Sequence, residues 1–321
     1  MPSSPSRQPA LGPARQFVVV GEALVDDYGD HGVVGGAPFN VARSLAAFGV
    51  PVLMITRIAD DTHGALVRAD FDRFGMTTAG LQIDDQHPTG RVIVEMKGSD
   101  HVFHILDNQA WDHLDAQAAL RALSNTQPAG LYAGTLVQRA PASRAAVTAL
   151  LGAVTAPHYV DLNLRDGQYE TATIAATLDS ADTVKVNEEE LRHLVEWFVQ
   201  PSQRDAAWDS AGLRGAIDQL MARFSLSRLV VTRGADGAAC FDAGAPALAE
   251  PAGPPPPRWG DTVGAGDSFS AVYLLGQWRG WPLPQTLQRA NAFAAAICGL
   301  NGAVPEDLSF YAPWRRAWGL A

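Results

Sequence analysis

Asp267 stands where a carboxylate has little reason to be unless it does chemistry. It follows the run Gly260-Asp261-Thr262-Val263-Gly264-Ala265-Gly266, and Phe269, Val272, Tyr273 and Leu275 after it carry the apolar spacing of one helix face. The glycines therefore predict a tight turn opening onto a helix N-terminus. Unpaired N–H groups and the helix dipole bind an anion there without a basic side chain. A carboxylate at that point repels the anion unless it takes a proton from a nucleophile attacking a phosphoryl group. In that reading the N–H groups of Gly264, Ala265 and Gly266 stabilise charge on the transferring phosphoryl. The plainer reading is an Asp near a helix start, which is usually a cap.

Other polar residues fall at strand ends and helix starts. Gly21-Glu22-Ala23-Leu24-Val25-Asp26 leaves the apolar run Phe17 to Val20 at its carboxyl end, the edge at which open α/β sheets place ligands. Asp26 there suits two hydroxyls of a polyol, or is a turn Asp beside Asp27 and Asp30. Gly35-Gly36-Ala37-Pro38-Phe39-Asn40 is a flexible turn with Pro in the first helical turn and an amide one turn further in. Asp161-Leu162-Asn163-Leu164-Arg165 puts three polar side chains on one side past a strand, and a planar Arg suits phosphate or carboxylate. Asn187 and Glu190 share a helix face, which also spells an N-cap with an acid at its third position. Lys185, one of only two lysines, lies just upstream. Thr232-Arg233-Gly234-Ala235-Asp236-Gly237 permits a hairpin. Asn291-Ala292-Phe293-Ala294 offers small residues on a helix, for an adenine ring or for plain packing.

The elements that position these residues alternate. Strands are expected at 17–20, 52–56, 131–133, 159–161, 183–186 and 228–232. Helices are expected after Gly36 and at 65–74, 143–151, 188–198, 213–224, 264–278 and 283–298, the last two closing the chain. Repeated β–α alternation predicts a mostly parallel sheet with helices on both faces. Gly90 to Glu95 and His101 to Leu106, around the turn Lys97-Gly98-Ser99-Asp100, read as an antiparallel hairpin outside that rhythm. Residues 22–35 and 88–111 are the expected flap. His101 and His104 suggest no metal site. The first fifteen residues, rich in Pro and Ser, read as a disordered tail before one domain over 16–321. A net charge of −10 argues against nucleic acid or an anionic membrane as partner, and no apolar run has the length of a membrane span. Two distant cysteines fit a reducing, cytoplasmic setting. Neither a Walker-type Gly-Lys-Ser/Thr loop nor a Gly-x-Gly-x-x-Gly turn after the first strand occurs.

Asp261-Thr262-Val263-Gly264-Ala265-Gly266-Asp267 resembles the signature of the ribokinase-type (PfkB-type) carbohydrate and nucleoside kinases, and the other motifs follow in family order across 17–305. The resemblance implies a ribokinase-like three-layer α/β/α sandwich with a β-sheet lid and ATP-dependent phosphorylation of a sugar hydroxyl. It implies Asp267 as base; Asp26, Gly35, Gly36, Asn40 and Arg165 on the substrate; and Asn187, Thr232, Gly234, Gly237, Gly264, Gly266 and Asn291 on ATP. Mg²⁺ is implied at Asn187 and Glu190 through water, and K⁺ beside Asp261; apart from the resemblance, a hydrophobic sheet face on the flap would support a homodimer through the lid. Gly35-Gly36-Ala37-Pro38 is similar to bacterial fructokinases, so fructose leads, ahead of 2-keto-3-deoxygluconate, a nucleoside, or a non-catalytic sensor on the same fold. The chain departs from the family where Pro254 to Pro257, Arg258 and Trp259 replace the apolar strand before Asp261.

Overall fold

The computed structural model describes residues 14–97 and 100–320. Its first elements are β1 (Ala14–Val20), β2 (Leu24–Asp27), β3 (Gly32–Gly35), α1 (Ala37–Ala47), β4 (Val52–Ala59), α2 (Thr62–Arg73) and β5 (Leu81–Asp84). The hairpin strands β6 (Gly90–Lys97) and β7 (Asp100–Ile105) follow, then α3 (Ala116–Leu123), β8 (Thr126–Ala133) and α4 (Pro141–Ala153). The alternation resumes with β9 (His158–Asp161), α5 (Thr171–Leu178), β10 (Thr183–Asn187), α6 (Glu188–Phe198), α7 (Ala211–Arg223) and β11 (Arg228–Thr232). The chain ends through β12 (Ala238–Asp242), β13 (Leu248–Glu250), α8 (Ala265–Arg279), α9 (Leu283–Ile297) and α10 (Tyr311–Ala317).

A 9-stranded sheet in the order β13-β12-β11-β10-β9-β8-β1-β4-β5 forms the middle layer. From β5 to β11 neighbours run parallel, and β12 and β13 extend that edge antiparallel. Strand alternation assigns the two faces. Phe17 and Val19 of β1 join the core under α1, α8 and α9, while Val18 and Val20 join the opposite core under α3 and α4. β11 divides likewise, with Val230 on the first side and Leu229 and Val231 against α6 and α7. Residues apolar on both faces are what a helix-covered parallel sheet requires.

The flap is a separate 4-stranded sheet, β3-β2-β6-β7. β6 and β7 pair antiparallel as the alternation predicts, and their turn at Gly98 and Ser99 lies outside the described residues.

Three expectations change. The tail ends earlier than Arg15, because Ala14 and Arg15 pair with Thr126 and Gln127 of β8 and the Arg15 guanidinium lies 4.6 Å from the centre of the Trp278 ring. Residues 1–13 lie outside the described residues. The chain does not close on α9 but on α10, whose Tyr311 and Trp314 pack edge-on or tilted against Phe293 of α9. Finally, α3 and α5 form where no helix was anticipated. Both are short, and α3 is begun by Asp115, which accepts from the Ala118 N–H at 2.5 Å.

Candidate active site

The parallel strands all end at one edge, and the polar residues singled out above collect there. α8 starts at Gly264, whose φ of 75° is left-handed and whose added Cβ would lie 2.3 Å from the Cβ of Ala303. No side chain caps this helix. Its first i→i−4 bond runs from the Ser268 N–H to the Gly264 carbonyl oxygen at 2.8 Å, so the N–H groups of Gly266 and Asp267 remain at the open end. The Ala265 N–H instead turns toward the Thr262 carbonyl oxygen at 3.3 Å, which removes it from the expected trio of anion donors. Lys185 Nζ lies 3.0 Å from where a Gly266 Cβ would be, so a cation stands beside the helix end.

One cavity of about 520 Å³ receives this end together with Glu22, Asp26, Gly36, Asn40, Asn163 and Arg165. Asp267 Oδ2 accepts from Asn40 Nδ2 at 2.7 Å. The Asn40 amide is in turn oriented by Arg43, which donates to Asn40 Oδ1 and to the Val34 carbonyl oxygen at 2.8 Å and pairs with Asp70. The expected sugar-binding amide is therefore also the group that fixes Asp267. Burial raises the Asp267 carboxyl above the usual carboxylate range, partly offset by the Asn40 bond. Burial also pushes Asp26 up to about 6, against the pull of Arg43 and Arg165.

The glycine turn is shaped by contact. Gly36 has φ 99°, and a Cβ there would sit 2.5 Å from the Glu22 carbonyl oxygen. A Cβ on Gly35 would meet Asp26 Oδ2 at 2.7 Å, so Gly35 makes room for that carboxylate although it does not itself line the cavity. Asp27 turns away, accepting from the Gly29 N–H at 2.8 Å.

The expected placement of Asp161 is corrected. Asp161 does not share a side with Asn163 and Arg165. Still within β9, it is fully buried, with its carboxylate accepting from Lys185 Nζ at 3.0 and 3.1 Å and from Ser270 Oγ at 2.7 Å. The chain turns only afterwards, at Asn163 with φ 43°. Arg165 is exposed and makes no ion pair with a described residue.

Asn187 and Glu190 form a capping box, each side chain accepting from the other's backbone N–H at 2.8 Å, while Glu190 Oε1 accepts from the Leu164 N–H at 2.7 Å. Both side chains are thus held by backbone N–H groups, an arrangement compatible with the expected contact to Mg²⁺ through water. Asn291 spends its amide on the carbonyl oxygens of Glu250 and Pro251, at 3.1 and 2.8 Å. Gly253 lies so close over Ala292 that a Cβ would approach its Cα to 2.5 Å, covering the helix surface expected to receive adenine. Thr232, Gly234 and Gly237 form the β11–β12 connection, outside the cavity.

Two site residues escaped the sequence reading. Glu22 was treated only as part of a strand end, and Arg43, although one helical turn from Asn40, was not considered. The i, i+3 spacing of Asn40 and Arg43 on α1 was the available signal.

An open helix N-terminus, a cation beside it and a carboxylate inside the same cavity are the parts that phosphoryl transfer calls for. Residues 29–308 match the family described as pfkB family carbohydrate kinase, and the chain belongs to that family. Among its relatives, the fructokinase of Escherichia coli is 28% identical over 251 residues, 75% of this chain and 76% of that one. The fructoselysine 6-kinase of Escherichia coli K12 is 27% identical over 304 residues, covering 90% and 99%. The crystal structure of a fructokinase with bound ATP from Xylella fastidiosa superposes with TM-score 0.77 at 21% identity, covering 95% of this chain and 99% of that one. The fold is thus that of the ribokinase-type kinases, and the chain is an ATP-dependent carbohydrate kinase.

Proposed function

We propose that the chain phosphorylates a neutral sugar, fructose first among the candidates, with Asp267 as the base. The observation that carries this reading is the sharing of one cavity by the N-terminus of α8, Asp267 and Asp26. The sugar lies between Asp26, Gly36, Asn40 and the flap. Its acceptor oxygen attacks the γ-phosphorus of ATP; the bond from that phosphorus to the bridging oxygen breaks and ADP leaves. The hydroxyl proton passes to Asp267, which Asn40 holds in place. The N–H groups at the start of α8, with Lys185 and Arg165, meet the phosphoryl oxygens. Gly264 and Gly266 belong to that phosphate contact, and the Thr232-Gly234-Gly237 loop runs along the nucleotide.

Mg²⁺ bound to ATP would lower the charge of its phosphates. The side chains of Asn187 and Glu190 reach it only through its waters, which leaves their capping box intact. Asp261 is tied to the Val263 and Gly302 N–H groups at 2.8 and 3.0 Å, and K⁺ beside it remains a reading by family resemblance. Cys240 and Cys298, buried and unpaired, accord with a reducing cytoplasm. Among the described residues no helix is long and apolar enough to cross a membrane.

The exposed, unpaired Arg165 favours one alternative, a sugar acid such as 2-keto-3-deoxygluconate with its carboxylate on that guanidinium. The carboxyl groups of Asp26 and Asp267, which line the cavity, weigh against an anionic sugar. The deciding assay is ATP-dependent phosphorylation of fructose, ribose, 2-keto-3-deoxygluconate and nucleosides with Mg²⁺, with and without K⁺. Preferred turnover of fructose is expected. Preference for the sugar acid would move Arg165 to the substrate, and turnover of none would overturn the reading.

A further inference from the structure

We propose that Glu22 is a substrate-contacting group that keeps its proton in the resting site and donates a hydrogen bond to an oxygen of the bound sugar, an inference that rests on the sugar-kinase reading above. Glu22 directly follows the β1-to-cavity turn at Gly21, is 2% exposed and lines the catalytic cavity. The nearby backbone N–H groups of Glu22 itself and of Ala37 pull its proton affinity down in part, yet Oε2 has no hydrogen-bond partner. A buried polar atom left alone at a cavity wall is normally waiting for a ligand or a water.

The surroundings decide its charge. Asp26 on β2 and Asp267 on α8 line the same cavity, and Asp267 opposes a negative charge on Glu22. On α1 stand the neutral Asn40 amide and Arg43, which is committed to Asp70, Asn40 and the Val34 carbonyl. Lys185 on β10 is paired with Asp161. Only Arg165, after β9, attracts from across the cavity, and no cation touches Glu22 itself. A carboxylate with one unpaired oxygen in such a place is costly, whereas the neutral acid is not. Burial pushes the Glu22 carboxyl up to about 7, in agreement.

A neutral acid carries one O–H donor, and Glu22 lines the cavity with its buried Oε2 still unpartnered. Among the cavity's side chains this donor complements the Asp26 carboxylate, which accepts from sugar hydroxyls. Together they recognise a polyol that presents both an acceptor and donors. The position is rigid, because the backbone of Glu22 is pressed against the Gly36 turn.

The test compares the full chain with Glu22→Gln and Glu22→Ala, using D-fructose, D-ribose and 2-keto-3-deoxygluconate as probes. Glu22→Ala should raise KM for the turned-over sugar about tenfold or more, with a smaller change in kcat. Glu22→Gln, whose amide still donates, should recover most of that loss. In the unsubstituted chain the sugar KM should rise as pH increases through about 7, as the O–H ionises, and Glu22→Gln should lack that rise. A Glu22→Gln variant as impaired as Glu22→Ala would overturn the donor role.

Should Glu22→Ala fail to fold, Glu22→Gln and spectroscopy still decide. The infrared difference between the unsubstituted chain and Glu22→Gln should contain the carbonyl stretch of a protonated acid near pH 6 and lose it well above pH 7. A carboxylate band at pH 6 would refute the protonated state without any sugar present. If that acid band is found and no sugar is turned over, the fault lies in the kinase reading beneath, and the contact with sugar falls with it.

Discussion

With Asp267 proposed as the base, its surroundings make two demands. As base it must be ionised, yet burial raises its proton affinity. The acid limb of kcat/KM should therefore lie above the ordinary carboxylate range, and Asp26, pushed up to about 6, falls in the same limb. Activity rises with pH through both groups; an acid limb near pH 4 would contradict the buried environment. Asp267→Asn should keep ATP binding and lose about 10²- to 10⁴-fold in kcat, a loss read by single-turnover kinetics. Near-normal turnover would make the assignment of the base wrong. Arg165, the exposed cation of the cavity, separates phosphate from substrate recognition. If it meets phosphoryl oxygens, Arg165→Ala raises KM for ATP or lowers kcat while the sugar KM changes less. A rise confined to the sugar KM would instead favour a carboxylate-bearing substrate.

At the scale of elements, α6 begins with a motif that has two compatible meanings, of which the structure displays the capping box. Asn187 and Glu190 exchange backbone bonds as a capping box. Asn187→Ala should cost about 1 kcal/mol in chemical denaturation, whatever its effect on the Mg²⁺ dependence. No loss of stability would mean the box is not sustained in solution. This element also marks how far sequence patterns reach. Strand ends, the α8 turn and the hairpin were legible because periodicity and glycine placement are local properties of the chain. The role of Asn291 was misread because the loop through Gly253 folds over α9 from forty residues away in sequence, a contact no local pattern records. Asp161 was misread for a subtler reason: it is still a strand residue, so alternation places it with Tyr159 toward α8, where both bond Ser270. Glu22 was overlooked because its chemistry comes from what is missing around it, namely a cation and a partner for Oε2.

For the whole molecule, β–α alternation dictated the layers and left the flap as the part that does not follow the rule. Its strands β2, β6 and β7 supply Leu24, Asp26, Val92, Phe103 and Ile105 to the cavity wall, so the flap shapes the site as well as covering it. Its outer strands β3 and β7 have no further neighbour among the described residues. Val33 on one edge is 36% exposed and Phe103 on the other 43%. Edge strands bearing apolar side chains favour pairing with a second copy unless bulges, prolines or charges prevent it. The homodimer expected through the flaps would pair such a backbone edge with that of a second copy. Sedimentation velocity over a wide concentration range should then find a dimer, and Val33→Lys should shift the equilibrium toward monomer without unfolding the chain, because Val33 lies outside the main cores. A single species of monomer mass at every concentration would remove the dimer and leave the flap as a lid that works within one chain.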